Sequence, residues 1–211
     1  GTRVVGCILN TVAAAETVHG ALSKALKKVT ARPVEAFVGP MRPHDKQSVL
    51  TKLYSASAGG ESDETPCCVI GTQTLEVGVD VDFADLVTEL APGASLVQRA
   101  GRVNRRGLLP EAHVYVYGLS DDASNTEWNK ARGPYDRETC TETAAWLDTL
   151  PGGTESGRDI CAWSVLQGTL AGNTVPGEQA RRLLYQRLEP WDVENLSYTD
   201  ENLCGDVRIE E

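Results

Sequence analysis

The sequence predicts an α/β protein: a parallel sheet covered by helices on both faces, followed by a small helical, acidic C-terminal region. Three observations carry that expectation. Short, largely apolar runs recur at residues 4–9, 34–38, 67–70, 86–90 and 113–117, as buried strands require. Helix-length segments separate most of them, giving the β-α-β-α-β order of a helix-covered parallel sheet. The charge is also partitioned. Residues 1–119 hold 12 basic and 12 acidic side chains and residues 120–211 hold 8 and 18, so the net charge of -10 belongs to the second part. The chain therefore divides into a lobe at 1–119, a linker at 120–135 and a helical extension at 136–211.

Residues 4–9 form an apolar run broken only by Gly6, and it begins almost at residue 1, as expected of a piece cut at a domain boundary. Asn10 and Thr11 offer an N-cap to a helix reaching about Val29, with Val18, Leu22, Leu26 and Val29 on one face. Pro33 resets the chain before the second strand. Gly39-Pro40-Met41-Arg42-Pro43 makes a rigid loop ahead of a helix over 44–54. Residues 55–66, with Gly59-Gly60 and clustered Ser and acidic residues, read as a loop. Within it, Asp63-Glu64-Thr65-Pro66 imitates a magnesium-holding DExx sequence but lacks the apolar strand that would place it at a sheet edge. The strand at 67–70 runs into Gly71, Thr72 and Gln73. The strand at 86–90 precedes Pro92-Gly93 and a helix starting near Ser95, which carries Gln98, Arg99, Arg102, Arg105 and Arg106.

Beyond Gly118 the character changes. Residues 120–135 read as a polar connection, and 136–150 as a helix with Cys140, Ala144, Leu147 and Leu150 on one face. Further helices are expected over 159–170 and 177–188, with an acidic stretch over 189–211. Trp128, Trp146, Trp163 and Trp191 all lie in this half, where acidic surroundings favour packing over base stacking.

At 41% hydrophobic and 24% charged, the composition is that of a soluble globular protein. No apolar run approaches the roughly 20 residues of a membrane span, and no signal peptide is evident, so the expected compartment is cytoplasmic. Six cysteines without CxxC pairs predict reduced thiols rather than disulfides or zinc. His44-Asp45 looks like the HD pair of metal nucleases, but His19 and His113 fall on a helix and a strand, so no metal site is expected.

The chemistry concentrates between residues 67 and 107. On a helix, Gln98, Arg102 and Arg105 would share one face. An amide beside two guanidinium forks suits a polyphosphate, which guanidinium binds bidentately. Thr72-Gln73-Thr74-Leu75-Glu76-Val77-Gly78-Val79-Asp80 resembles motif V of superfamily 2 helicases. Gln98-Arg99-Ala100-Gly101-Arg102-Val103-Asn104-Arg105 resembles their motif VI, Q-R-x-G-R-x-x-R. The spacing of the two, and the intervening Val81-Asp82-Phe83-Ala84-Asp85, are most similar to the CRISPR-associated helicase–nucleases. The resemblance covers residues 3–119 and implies the second RecA-like lobe.

What that resemblance implies is specific. Arg105 is the arginine finger, Arg102 lies beside the γ-phosphate and Gln98 is an orienting amide, while Arg99 and Arg106 make structural or nucleic-acid contacts. Gly78 and Asp80 approach the nucleotide. Asn10, Thr11, Arg42, Thr72 and Gln73 face the nucleic-acid backbone, though Asn10 can equally be a helix cap and Arg42 a solvated loop residue. Glu76 departs from the pattern, an acid close to the expected strand, either a brake or the mark of another lobe. The sequence has no Gly-Lys pair, hence no Walker A loop. ATP would be shared with a first RecA-like lobe outside this chain, which would also hold Mg²⁺. Expected partners are single-stranded DNA, that first lobe, a nuclease domain of the same parent and a CRISPR effector complex. Two other readings remain: a lobe of another superfamily 2 motor, such as an RNA helicase or restriction-type translocase, or a non-catalytic RecA-like interaction module.

Overall fold

Five short strands form one parallel sheet: β1 Val5–Ile8, β2 Val34–Phe37, β3 Cys68–Gly71, β4 Asp85–Glu89 and β5 Val114–Tyr117. Their order is β2-β3-β1-β4-β5. The computed structural model describes residues 3–57, 65–76, 79–118, 124–153 and 157–178. Alternation along the central strands sorts the core onto two faces. On one, Val4, Ile8, Val69 and Leu86 pack against Val49 and Leu53 of α2 (Pro43–Ser57). On the other, Cys7, Leu9, Cys68 and Ile70 pack against Ala15, Val18 and Leu22 of α1 (Val12–Leu26). Ile8, Leu9, Ile70 and Leu86 are fully buried, each contributing about 1.5–3 kcal/mol relative to exposure.

The helix boundaries follow local chemistry. Thr11 caps α1, its hydroxyl accepting from the Ala14 amide at 3.2 Å. That helix ends at Leu26, and Val29 beyond it is exposed rather than part of the buried face. The largest departure from the sequence reading concerns α3. It runs only Gly93–Ala100, with Gly101 at its C-cap, so Arg102, Arg105 and Arg106 leave the helix and cannot share a face with Gln98. The cause is long-range: Val103 pairs with Phe83 in a parallel bridge. The Phe83 amide donates to the Arg102 carbonyl and the Asn104 amide to the Phe83 carbonyl, both at 2.8 Å. Asn104 takes the left-handed conformation, φ 45°, that Asn tolerates better than most residues. Two hydrogen bonds tie its side chain to Leu109.

The stretch expected as a connection contains a helix, α4 (Asn125–Ala131). It is entered by a capping box between Ser124 and Glu127. Next comes α5 (Arg137–Thr149), whose buried residues are Cys140, Thr143 and Trp146; Ala144, expected on that face, is exposed. A two-stranded ladder, β6 Gly152–Gly153 with β7 Gly157–Arg158, leads to α6 (Ala162–Leu170). Trp146, Leu150, Val165 and Val175 build a third core around Ala94 of α3. Through Glu178 these residues belong to the same compact unit as the sheet. Trp128 and Trp146 are buried, as packing predicts, whereas Trp163 is exposed. The expected helix at 177–188 and Trp191 lie outside the described residues, apart from Gly177 and Glu178. Among the described residues no helix is long and apolar enough to cross a membrane.

Candidate functional site

The carboxyl ends of β1, β3 and β4 gather the motif residues around one buried arginine. Arg99, on the last turn of α3, has no exposed side-chain surface. Its Nε and Nη2 meet Glu76 Oε1 at 2.8 and 2.7 Å. Its Nη1 donates to Thr88 Oγ1 at 2.6 Å and to the Glu89 carbonyl at 3.0 Å. Nη2 also reaches Asn10 Oδ1 at 3.3 Å and Tyr135 Oη at 3.2 Å. The Tyr135 hydroxyl in turn donates to Glu76 Oε1 at 3.4 Å. A buried charge persists only when paired and hydrogen-bonded, and here the pairing explains Glu76: it neutralises Arg99 inside the lobe instead of facing a strand of nucleic acid.

Arg102 and Arg105 occupy the turn beyond α3. Arg102 Nη2 donates to the Glu76 carbonyl at 2.7 Å, while its buried Nε has no hydrogen-bond partner among the described residues. Arg105 is half exposed and pairs with exposed Asp80 at 2.8 Å; its amide donates to Asp82 Oδ1 at 2.8 Å. Arg106 approaches the same Asp82 at 4.0 Å. Gln98 is half-buried on α3. Three arginines of motif VI thus hold motif V, Arg99 and Arg102 at Glu76 and Arg105 at Asp80. Gly78 lies outside the described residues.

Of the residues expected toward nucleic acid, Asn10 is buried. Its side-chain amide donates to the Leu90 carbonyl at 2.8 Å, and its backbone amide donates to Glu89 Oε2. Gln73, in the 3₁₀ turn Gln73–Leu75 after β3, donates to the Asn10 carbonyl at 3.2 Å. Thr72 beside it is buried, and Thr11 caps α1. These four residues sit together at the ends of β1 and β3. Arg42 stands apart, highly exposed and paired with Asp45 at 2.8 Å; its guanidinium holds the Asp45 carboxyl below the usual range.

Burial pushes the Glu89 carboxyl up, against the Asn10 amide and the Arg99 charge, which lower it. Burial also raises the thiols of Cys7 to about 11 and Cys68 to about 12, so both are protonated core groups at neutral pH. No motif in the sequence marks Tyr135, Thr88 or Glu89 as partners of this site. One signal was available for a partner near motif V, the acidic Glu76 itself. Gly133 shows how close Tyr135's segment comes: its φ is +61°, and a Cβ there would collide with the Asn10 carbonyl.

The profile of the family described as CRISPR-associated nuclease/helicase Cas3, C-terminal, matches residues 1–108. A CRISPR-associated helicase Cas3 of Thermoproteus tenax is 32% identical over 177 residues, 80% of this chain and 27% of that protein. A CRISPR-associated nuclease/helicase Cas3 of Streptococcus thermophilus is 41% identical over 59 residues, 26% of this chain and 6% of that one. Among solved structures, T. fusca Cas3 with ATP superposes with a TM-score of 0.62 at 17% identity, covering 86% of this chain and 22% of the other. A chain of a CRISPR RNA-guided surveillance complex in its pre-nicking state gives 0.56 at 18% identity, covering 85% and 23%. This chain therefore spans about a quarter or less of the length of such relatives. The fold is RecA-like, and the chain belongs to the Cas3 family of CRISPR-associated helicases, as its C-terminal helicase lobe.

Proposed function

We propose that this chain is the second motor lobe of an ATP-dependent DNA helicase of CRISPR interference. In this reading it supplies arginines to ATP bound by a first lobe and grips single-stranded DNA by its backbone. The carrying observation is the turn at 102–105. It is pinned by the Phe83–Val103 bridge, and it leaves one arginine half exposed beside an exposed carboxylate and another whose buried Nε has no hydrogen-bond partner among the described residues. Donors in such a state fit phosphate oxygens. T. fusca Cas3 has been solved with ADP and with ATP, which supports ATP as the nucleotide.

Bound Mg²⁺–ATP supplies the phosphoryl group that is transferred. The residues of this chain orient charge toward it. Arg102, tethered to the Glu76 carbonyl, is preorganised, because that carbonyl belongs to a residue locked by Arg99. Arg105 exchanges Asp80 for the anion, an exchange of low cost because the pair is exposed. A finger in this position contributes roughly 10³ to 10⁵ in rate. Thr11, Thr72, Gln73 and Arg42 are proposed to hold the strand by its phosphates, so binding weakens with salt. The phosphate loop, the Mg²⁺ ligands and any nuclease domain belong to other parts of the parent, so this chain alone is expected not to hydrolyse ATP.

The test is single-strand-stimulated ATPase of the full-length parent, with Arg102→Ala and Arg105→Ala. Stimulation by DNA, lost in both variants, is the expected result. Stimulation by RNA alone would move the lobe to another class of motor. No ATPase with any nucleic acid would make the arginines binding or structural groups.

A further inference from the structure

The strand β5 ends the sheet on one side. Its residues, Val-Tyr-Val-Tyr, carry no charge and no proline, two of the devices by which edge strands discourage pairing. The amides of Leu86 and Leu90 bond the carbonyls of His113 and Tyr117. Backbone direction alternates along a strand, so Val114 and Val116 turn their N–H and C=O groups toward the outer edge. Among the described residues no strand pairs with that edge.

The sheet face beside the edge is open as well. Over β1, β2 and β3 it is covered by α1, and Trp128 and Ala131 of α4 stand near its Tyr117 end. His113, Tyr115 and Tyr117, two residues apart, share this face with Asp85 and Val87 of β4. Tyr115 is 56% and Tyr117 45% exposed, and the His113 ring stacks on Tyr115 at 5.8 Å. Carboxylates flank this aromatic row. His113 Nδ1 faces Asp85 and its Nε2 faces Glu111, each at 3.3 Å, and the Glu111 side chain is mostly in solvent. Residues 107–118 contain no lysine or arginine.

Aromatic faces attract a cation, most often the guanidinium of arginine, and complementary carboxylates steer it there. The same carboxylates repel the phosphates of a nucleic-acid strand, whose bases stack on aromatic rings within a positively charged groove. A second copy of this chain, paired edge to edge, would bring a β5 with no cation of its own. We propose that β5 is a docking edge for an extended, arginine- or lysine-bearing segment of a partner protein. The segment adds to the sheet as a further strand, bonding Val114 and Val116. Every second side chain of it then falls on the aromatic face, where a cation lies over Tyr115 and reaches Glu111. None of these residues belongs to the nucleotide or strand-gripping sets, so the inference stands independently of the motor reading.

The experiment titrates the 211-residue chain with three labelled octapeptides. In the first, arginine alternates with threonine; in the second, glutamate replaces arginine; the third is the arginine peptide with every backbone amide methylated. The arginine peptide is expected to bind about tenfold more tightly than either of the others. Tyr115→Ala and Glu111→Gln each weaken it severalfold and leave the glutamate peptide unchanged. Val116→Pro, which removes an outward N–H, also weakens it; should that variant not fold, the other two change only exposed side chains. Equal binding of the arginine and glutamate peptides, or binding of neither, overturns the proposal. Undiminished binding of the methylated peptide overturns the strand addition. Binding of a labelled single-stranded DNA oligonucleotide that falls in Tyr115→Ala, while the arginine peptide does not bind, assigns the face to nucleic acid and overturns the protein partner.

Discussion

Arg99 and Arg105 stand six residues apart in one motif, and the fold treats them in opposite ways. Arg99 has no exposed surface and is shared among Glu76, Thr88, Glu89, Asn10 and Tyr135. Arg105 is half exposed and has one carboxylate partner, Asp80, itself mostly in solvent. The difference follows from where α3 ends: Arg99 still points from a helix into the sheet edge, while Arg105 follows a turn held by Phe83. One motif thus contains a charge that assembles the lobe and a charge the lobe leaves available. The buried one also connects the parts, since its partners come from the ends of β1 and β4, from motif V and from the segment beyond β5.

The sharpest way to break this comparison is Arg99→Met. It leaves the Glu76 carboxylate buried without its partner, which costs about 3–5 kcal/mol. Denaturant unfolding of the 211-residue chain reads this as a large fall in midpoint. Adding Glu76→Gln to Arg99→Met should recover part of the loss, because neighbouring members of one network are not additive. A loss below about 1 kcal/mol for Arg99→Met would show that the network does not hold the lobe.

A smaller effect tests the reach of the network into the C-terminal region. Tyr135→Phe keeps the ring and its contact with the Arg99 guanidinium, 5.9 Å from the ring centre, but removes the hydroxyl between Arg99 and Glu76. The expected cost is about 1 kcal/mol, and it should vanish in the Arg99→Met background. Full additivity of the two changes would detach Tyr135 from the hub.

Much of the fold could be read in advance because parallel strands buried on two faces leave continuous apolar runs, such as residues 67–70. What could not be read is non-local. Nothing near Val103 announces that it bridges to Phe83, so Arg102, Asn104 and Arg105 read as one more helical turn. The end of α3 was partly visible in Asn104, a residue suited to a left-handed turn. The start of α4 was visible too, as Ser124 three residues before Glu127, but its seven polar-rich residues lack apolar periodicity. Glu76 is the reverse case. Its oddity was plain in the sequence, and its explanation lay 23 residues away in Arg99 and 59 away in Tyr135.

Asp136, next to Tyr135, gives a pH-dependent test of the same segment. Its carboxylate caps α5 by accepting from the Thr139 amide at 2.7 Å, and that bond holds its pKa below the ordinary value. A depressed folded pKa means the cap stabilises fully above the unfolded value of about 3.9 and is lost as pH falls through the folded value. Asp136→Ala should cost about 1 kcal/mol at pH 7, and the gap from the unaltered protein should close below about pH 4. Asp136→Asn, which keeps an acceptor, should lose this pH dependence. A gap that stays constant down to pH 3 would place the cap energy elsewhere than in the charge.

Arg105→Ala should have the smallest effect on stability, and that smallness is the other half of the comparison. The Arg105–Asp80 pair is exposed on both sides, so desolvation adds nothing to its Coulomb term and salt screens it. The change in unfolding free energy should stay within about 0.5 kcal/mol, at low and at high ionic strength alike. Asp80→Asn should be equally mild, since it removes the same weak pair from the other side. A loss above about 1 kcal/mol in either variant would mean that Arg105 is part of the lobe's framework, as Arg99 is. Thermal unfolding of both variants beside the ATPase of the corresponding full-length proteins therefore separates the two roles. A finger gives lost turnover on an unchanged fold, whereas a framework residue loses both together.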